Sequence, residues 1–271
     1  MYLREARLSD MPAVGKIGAR AFIDDPLFAI LEPGRNAYYE DYEGGWIQRV
    51  RKYFLKLETR VILAVDEESK DISGFAVWVR EGDDPAADRW RDEGGILKRI
   101  EFKLLTIEDK ITALLSPKSR SENPAALAHF DKAVEQVDAT IWSQEGRHIR
   151  WHLYLLAVSP SWRKQGVGSL LTSWGMENGA KEGVICVLES SPAGKSLYER
   201  LGFKMIDVWV PFEGSKEGFE QLTAPMMVWQ PGTAKANGAA EGKTANGVAI
   251  EDGSVNGARG GTGMGKAIDP L

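Results

Sequence analysis

The chain is poor in the residues that most often carry chemistry. Its 271 residues include one cysteine, Cys186, and three histidines, His129, His148 and His152. A single thiol cannot close an internal disulfide, which fits a reducing compartment. Cys186 stands inside the apolar run V-I-C-V-L (Val184 to Leu188), where a core residue is expected rather than a nucleophile. The histidines are not at ligand spacing with one another and no cysteines are paired, so no metal site is expected. A basic excess is also missing. With 34 Lys and Arg interspersed among 39 Asp and Glu, the formal charge is -5, which argues against a nucleic-acid partner and disfavours acidic substrates. No apolar run approaches the roughly 20 residues needed to cross a bilayer. The opening M-Y-L-R-E-A-R lacks the charged head and apolar centre of a signal peptide. No membrane partner is expected, and the expected location is the cytoplasm, with the nucleus left open.

Several catalytic signatures are absent as well. There is no G-x-S-x-G elbow of a serine hydrolase. The glycine turn after residue 160 has neither the dinucleotide-binding pattern G-x-G-x-x-G nor the P-loop pattern. What it does have is W-H-L-Y-L-L-A-V-S-P-S-W-R-K-Q-G-V-G, from Trp151 to Gly168. An alternating apolar run stops at Ser159-Pro160, and Arg163, Gly166 and Gly168 form R-x-x-G-x-G at the mouth of a helix expected from Ser169 onward. The first N–H groups of a helix lack intrahelical partners, and the helix dipole adds partial positive charge there. Glycines let a phosphate approach without a Cβ in the way, so the pattern predicts an anion cradle, most simply for a pyrophosphate. A plain tight turn, with glycines needed only for backbone angles, is the bland alternative.

R-x-x-G-x-G following A-V-x-P resembles the pyrophosphate-binding motif of the GNAT (Gcn5-related) N-acetyltransferases. Downstream, Tyr198-Glu199-Arg200-Leu201-Gly202-Phe203 is similar to that family's second signature, Y-x-x-x-G-F. The two occur in the family's order and spacing, and the overall run looks most like GNATs of filamentous fungi. The resemblance implies an α/β fold with a mixed, partly splayed sheet and helices on both faces. It also implies acetyl-CoA as co-substrate and an amine as acceptor.

The rest of the chain is organised around that centre. Tyr2 to Ala6 reads as a strand, Asp10 to Phe22 as a helix, and D-D-P-L-F (Asp24 to Phe28) as a bend, because Pro26 disfavours helix at Asp25. A helix follows over about Tyr38 to Leu57, then strands at Arg60 to Val65 and Ile72 to Val79. Residues 85–146 read as a helical insertion. Leu97, Ile100, Leu104, Ile107, Ile111 and Leu114 form one apolar stripe, and Leu127, Phe130, Val134, Val137 and Ile141 a second. Two amphipathic helices are expected, as scaffold or as a wall of the acceptor pocket. The domain is expected to span 1–230. From 231 to 271 the composition turns to Gly, Ala, Asn and Thr, with echoes of A-N-G at Ala236, Ala245 and Val255, and a disordered tail is expected.

The resemblance assigns roles residue by residue. The edge of the strand at Leu156 and Val158 is expected to pair with the pantetheine amides. Arg163, Lys164, Gln165, Gly166, Val167, Gly168 and Ser169 are expected to hold the pyrophosphate, with Arg163 adding charge or merely closing the turn. Tyr198 is the expected general acid for the departing thiolate, its alternative being an aromatic that packs helix on sheet. His152 is the candidate base, since histidine is a sound base at neutral pH; its alternative is a hydrogen-bonded core residue. Tyr154 stands where similar sequences often carry Glu, which weakens a carboxylate-base reading and makes Tyr154 a substrate contact. Strand alternation places His152, Tyr154, Leu156 and Val158 on one face. Asp24 and Asp25 are candidates to attract a cationic amine, or to cap a turn. The expected activity is acetyl-CoA-dependent acetylation of a small-molecule amine. Acetylation of a protein lysine or N-terminus, and a silent acyl-CoA-binding module, are the alternatives.

Overall fold

A computed structural model describes residues 1–213 and 222–232. The expected disordered tail, with its A-N-G echoes, lies outside the described residues apart from Pro231 and Gly232.

The chain opens with strand β1 (Tyr2–Glu5) and helix α1 (Met11–Phe22). The expected bend after Phe22 is instead a short helix, α2 (Pro26–Leu31). Pro26 takes its first position, where the missing N–H costs nothing, and Asp25 caps it by accepting from Leu27 N at 2.9 Å. Helix α3 (Tyr39–Phe54) leads into β2 (Thr59–Val65) and β3 (Ile72–Glu81). β2 is buried throughout and β3 from Ser73 onward, which explains why both read as unbroken apolar runs rather than alternating ones. After the insertion come β4 (Arg150–Val158), α7 (Val167–Glu182), β5 (Ile185–Glu189), α8 (Lys195–Arg200), β6 (Lys204–Trp209) and β7 (Ala224–Trp229).

Among the described residues, seven strands form one mixed sheet in the order β1-β2-β3-β4-β5-β7-β6. β4 and β5 are parallel, and the other neighbours are antiparallel. α1 and α3 cover one face through Met11, Val14, Trp46, Val50 and Tyr53, packed on Val61, Phe75 and Val77. α7 and α8 cover the other through Val167, Leu171 and Tyr198, packed on Trp78, Trp151, Cys186 and Leu188. α7 lies close to the sheet because it has glycines where other residues would clash. A Cβ at Gly175 would sit 2.3 Å from the Trp78 ring, and one at Gly179 would sit 2.7 Å from Cys186 Sγ.

The insertion holds three helices rather than two: α4 (Pro85–Asp92), α5 (Gly95–Leu115) and α6 (Pro124–Val137), the last running into a π-helical turn at Asp138–Trp142. α6 and that turn pack on the sheet, with Val137 and Trp142 against Val187, Met226 and Val228. α5 behaves otherwise. Phe102 is its one buried residue, set 5.6 Å from Phe54 ring to ring, and Asp109 accepts from Arg51 Nε at 2.7 Å. The stripe from Leu97 to Leu114, read as a buried or pocket-lining face, points to solvent. Periodicity identifies which face of a helix is apolar and not what covers it.

Candidate active site

β4 and β5 share only three register pairs, Arg150 with Ile185, Trp151 with Cys186 and His152 with Val187. Beyond His152 the two strands part. From Leu153 to Val158, β4 is paired with β3 alone, which leaves one edge of the strand open in the middle of the sheet. The parting coincides with a β-bulge: Val77 faces Leu155 and Trp78 faces Leu153, so Tyr154 is the extra residue. The expected alternation therefore fails. Leu156 and Val158 join Trp151 and Leu153 on the α7 side, whereas Tyr154, Leu155 and Ala157 pack on the α1 and α3 side. His152 and Tyr154 still neighbour each other, with ring centroids 4.2 Å apart, but they no longer share a face with Leu156 and Val158.

The glycine turn leads from this open edge to the start of α7. Lys164 (φ 62°) and Gly166 (φ 83°) both take left-handed backbone angles, and a Cβ at Gly166 would point into open space. Leu170 N is the donor to Gly166 O at 3.0 Å, so the N–H groups of Val167, Gly168 and Ser169 precede the first intrahelical donor. Left-handed residues followed by free N–H groups make a concave anion-binding backbone. Gly168 sits beside the strand edge, its Cβ position 3.8 Å from Leu156 and 3.9 Å from Val158. Val167 is buried and can offer only its backbone. Two expected contacts are otherwise engaged: Arg163 Nη2 donates to Ala21 O at the end of α1 at 3.0 Å, and Gln165 Nε2 donates to Ser161 O at 2.9 Å. Arg163 thus closes the turn onto α1. These features fit the pyrophosphate and pantetheine arm of acetyl-CoA, through backbone N–H groups more than through side-chain charge.

On the opposite face, where β4 leaves β5, lies a buried polar cluster. His152 Nε2 is 2.8 Å from Glu189 Oε2, and Glu189 Oε1 accepts from Trp142 Nε1 of the π-helical turn. Glu81, at the end of β3, accepts from Tyr154 Oη at 2.8 Å and lies 3.8 Å from His152 Nδ1. Arg150 bridges Glu81 and Asp138, with Asp138 Oδ1 at 2.6 Å. Because a carboxylate only accepts, Glu189 fixes the proton of the neutral His152 ring on Nε2 and leaves its lone pair on Nδ1, an atom that is buried without a hydrogen-bond partner among the described residues; the protonated ring faces Glu189 as a charge. Burial tends to raise the Glu189 carboxyl, but the facing His152 charge and the hydrogen bonds from His152 and Trp142 outweigh it and hold it below the ordinary range. The Tyr154 hydroxyl is pushed well up by burial and by the Glu81 charge, so it stays a donor to Glu81.

Tyr198 projects from α8 into the α7-side core, 5.8 Å from Phe203 ring to ring. Burial raises its hydroxyl, and no hydrogen bond occupies that hydroxyl among the described residues. Leu156 and Val158 pack on the same cluster, which brings the tyrosine, the strand edge and the α7 N-terminus together. Asp25 is taken up in capping α2, and burial raises its carboxyl; Asp24 is exposed. Glu81 and Glu189 were not predicted, because each reads as a solvated charge closing an apolar run. A wide groove of about 770 Å³ runs between α4 and the C-terminal end of α7, lined by Arg89, Trp90, Lys181 and Glu182. It lies at the far end of α7 from the turn and contains none of these groups.

Comparison with known proteins agrees with this geometry. Residues 126–205 match the family model described as Acetyltransferase (GNAT) domain. A protein named Acetyltransferase from the filamentous fungus Stachybotrys chartarum is 22% identical over 227 residues, covering 82% of this chain and 89% of its own length. Among solved structures, one described as histone acetyltransferase HPA2 and related acetyltransferase, from Corynebacterium glutamicum, superposes with a TM-score of 0.50 at 20% identity, over 86% of this chain and 98% of that one. The C-terminal condensation domain of Ebony, solved with beta-alanyl-dopamine, gives 0.51 at 12% identity, over 84% and 98%.

Proposed function

We propose that the chain, whose residues 126–205 match the GNAT acetyltransferase domain model, is an N-acetyltransferase moving the acetyl group of acetyl-CoA onto a small-molecule amine, by direct attack with both substrates bound. The observation that carries this reading is the His152–Glu189 pair, placed where β4 leaves β5 and next to the open strand edge. When bound, acetyl-CoA supplies an activated acyl carbon and a thiolate leaving group. The Leu156–Val158 edge orients the arm, and the N–H groups of Val167, Gly168 and Ser169 hold the phosphates. His152 Nδ1 takes the proton that an ammonium must lose before it can attack, and Glu189 steadies the imidazolium that results. The carboxylates of Glu81 and Glu189 on this face favour a cationic acceptor over an acidic one. Tyr198 Oη carries the proton that a departing thiolate takes.

The test is release of free CoA thiol across a panel of amines, hydroxylated compounds and peptides, with mass spectrometry of the product. Turnover of free amines with an acetyl mass increment is the expected result. Turnover of peptides alone would move the assignment to a protein acetyltransferase, and cofactor binding without thiol release to a silent binding module.

A further inference from the structure

The outward stripe of α5 has coiled-coil spacing and nothing of its own chain over it. Leu97, Ile100, Leu104, Ile107, Ile111 and Leu114 are spaced 3, 4, 3, 4 and 3, as in an a/d seam; α6 has the same spacing from Leu127 to Ile141 but buries it on its own body, so exposure is what sets α5 apart. All six are exposed, from 49% at Ile100 to 85% at Leu114. Phe102 and Asp109, which hold α5 to the body, lie on the reverse side of the helix, and the exposed Glu108 beside Asp109 also accepts from Arg51 at 3.3 Å. In the same register the flanking positions alternate in charge: Glu101 and Glu108 stand at e, Lys103 and Lys110 at g.

We propose that α5 is a dimerisation helix, and that its occupant is the α5 of a second copy of this chain, in parallel orientation. The periodicity calls for a helix of matching heptads. Residues 214–221 and 233–271 contain no run of heptads, the one 4-3 step at Met264, Ile268 and Leu271 being interrupted by Gly265 and Pro270, so these segments do not supply one. The charges select the orientation. In a parallel pair a g residue faces the e residue five positions on, setting Lys103 against Glu108 of the second copy; an antiparallel pair sets lysine against lysine and glutamate against glutamate. Three heptads make a marginal coil between free peptides, but here the helix is already anchored at Phe102 and Asp109, so less order remains to be imposed on pairing. α5 also needs such a partner: a helix of 21 residues with one buried side chain gains little from its own body. The stripe is separate from the acetyl-transfer site, so the dimer and the activity stand or fall independently.

The experiment uses the full chain. Light scattering after size exclusion, at about 10 µM chain, is expected to give twice the 29.9 kDa chain mass. Ile107→Glu and Ile111→Glu alter residues exposed in the single chain, so each variant should keep the parent circular-dichroism spectrum and run as a monomer. Orientation is read by oxidation of Leu97→Cys and Leu114→Cys chains, the native Cys186 being buried. A parallel pair brings each new thiol to its own counterpart, so both variants should cross-link as dimers. A monomeric parent, a dimer that survives both glutamates, or Cys variants that stay uncrosslinked as dimers would overturn the proposal. So would a monomer that floats with phosphatidylcholine and phosphatidylserine vesicles through this stripe, which would make α5 a membrane-surface helix.

Discussion

Replacing Glu189 with Gln keeps the size of the side chain and removes its charge, which isolates the part that charge plays. In the parent the carboxylate sits 2.8 Å from His152 Nε2 and also accepts from Trp142. The amide oxygen of Gln can still accept one of these bonds, so packing should survive. What disappears is the anion facing the imidazolium that forms as the amine is deprotonated. Two unit charges about 4 Å apart interact by about 4 kcal/mol at an effective dielectric near 20. Glu81, 3.8 Å from the other ring nitrogen, remains to offset part of that loss. A residual penalty of about 3–4 kcal/mol lowers kcat by roughly 10²- to 10³-fold. Acetyl-CoA affinity should be unchanged, because the phosphate-holding N–H groups are at the start of α7. The assay is single-turnover thiol release at saturating cofactor, paired with isothermal titration of acetyl-CoA. If the variant turns over within about threefold of the parent while chemistry limits the rate, Glu189 does not support the base and the reasoning fails. Stability carries a second signature. A carboxyl held below its ordinary 4.5 in the folded state adds stability that is fully present above pH 4.5 and is lost as pH falls through the folded pKa. The calorimetric difference between parent and Glu189→Gln should therefore shrink as pH is taken below 4.5, and a constant difference would contradict the assignment.

Three further outcomes are expected. Tyr198→Phe removes a hydroxyl that has no hydrogen-bond partner among the described residues, so Tm should hold while kcat falls by roughly 10- to 10⁴-fold; a variant with parent kcat removes the general acid. Gly166→Val forces a branched side chain to φ 83° and fills the open side of the turn. It should cost roughly 1–2 kcal/mol of stability and abolish the rise in Tm that acetyl-CoA gives the parent, read by scanning fluorimetry. Gly175→Ala places a methyl 2.3 Å from the Trp78 ring. Although alanine favours helix by about 1 kcal/mol, overpacking of about 1–3 kcal/mol should outweigh it in calorimetry.

The glycine turn, the strand before it and the Tyr198 segment were legible because their signals are local: residue type, spacing and capping chemistry lie within a few positions. Cys186 in the core followed from its apolar neighbours in the same way. The carboxylates that complete the site were not legible. Glu81 and Glu189 lie 108 positions apart and meet His152 only because Glu81 faces Arg150 across β3 and β4, and His152 faces Val187 across β4 and β5. A glutamate ending an apolar run is a hint, but register decides what it meets. Strand parity failed for a comparable reason. One extra residue at Tyr154 reverses the facing of everything after it, and nothing in W-H-L-Y-L-L-A-V marks the place. The stripes on α5 and α6 were both visible with the same 3-4 spacing, and what separates them, one exposed and one packed on the sheet, is tertiary and leaves no mark in the spacing.

The three register pairs between β4 and β5 divide the sheet into two leaves, one from β1 to β4 and the other from β5 to β7. Backbone bonds hinge these leaves at one end only, so the width of the opening is set from beneath by α7. Gly175 rests on Trp78 of the first leaf and Gly179, one turn later, rests on Cys186 of the second. Each glycine is a spacer of minimum thickness. A methyl added under either leaf tilts that leaf against its neighbour and so changes the aperture between strands, with no residue of the aperture itself replaced.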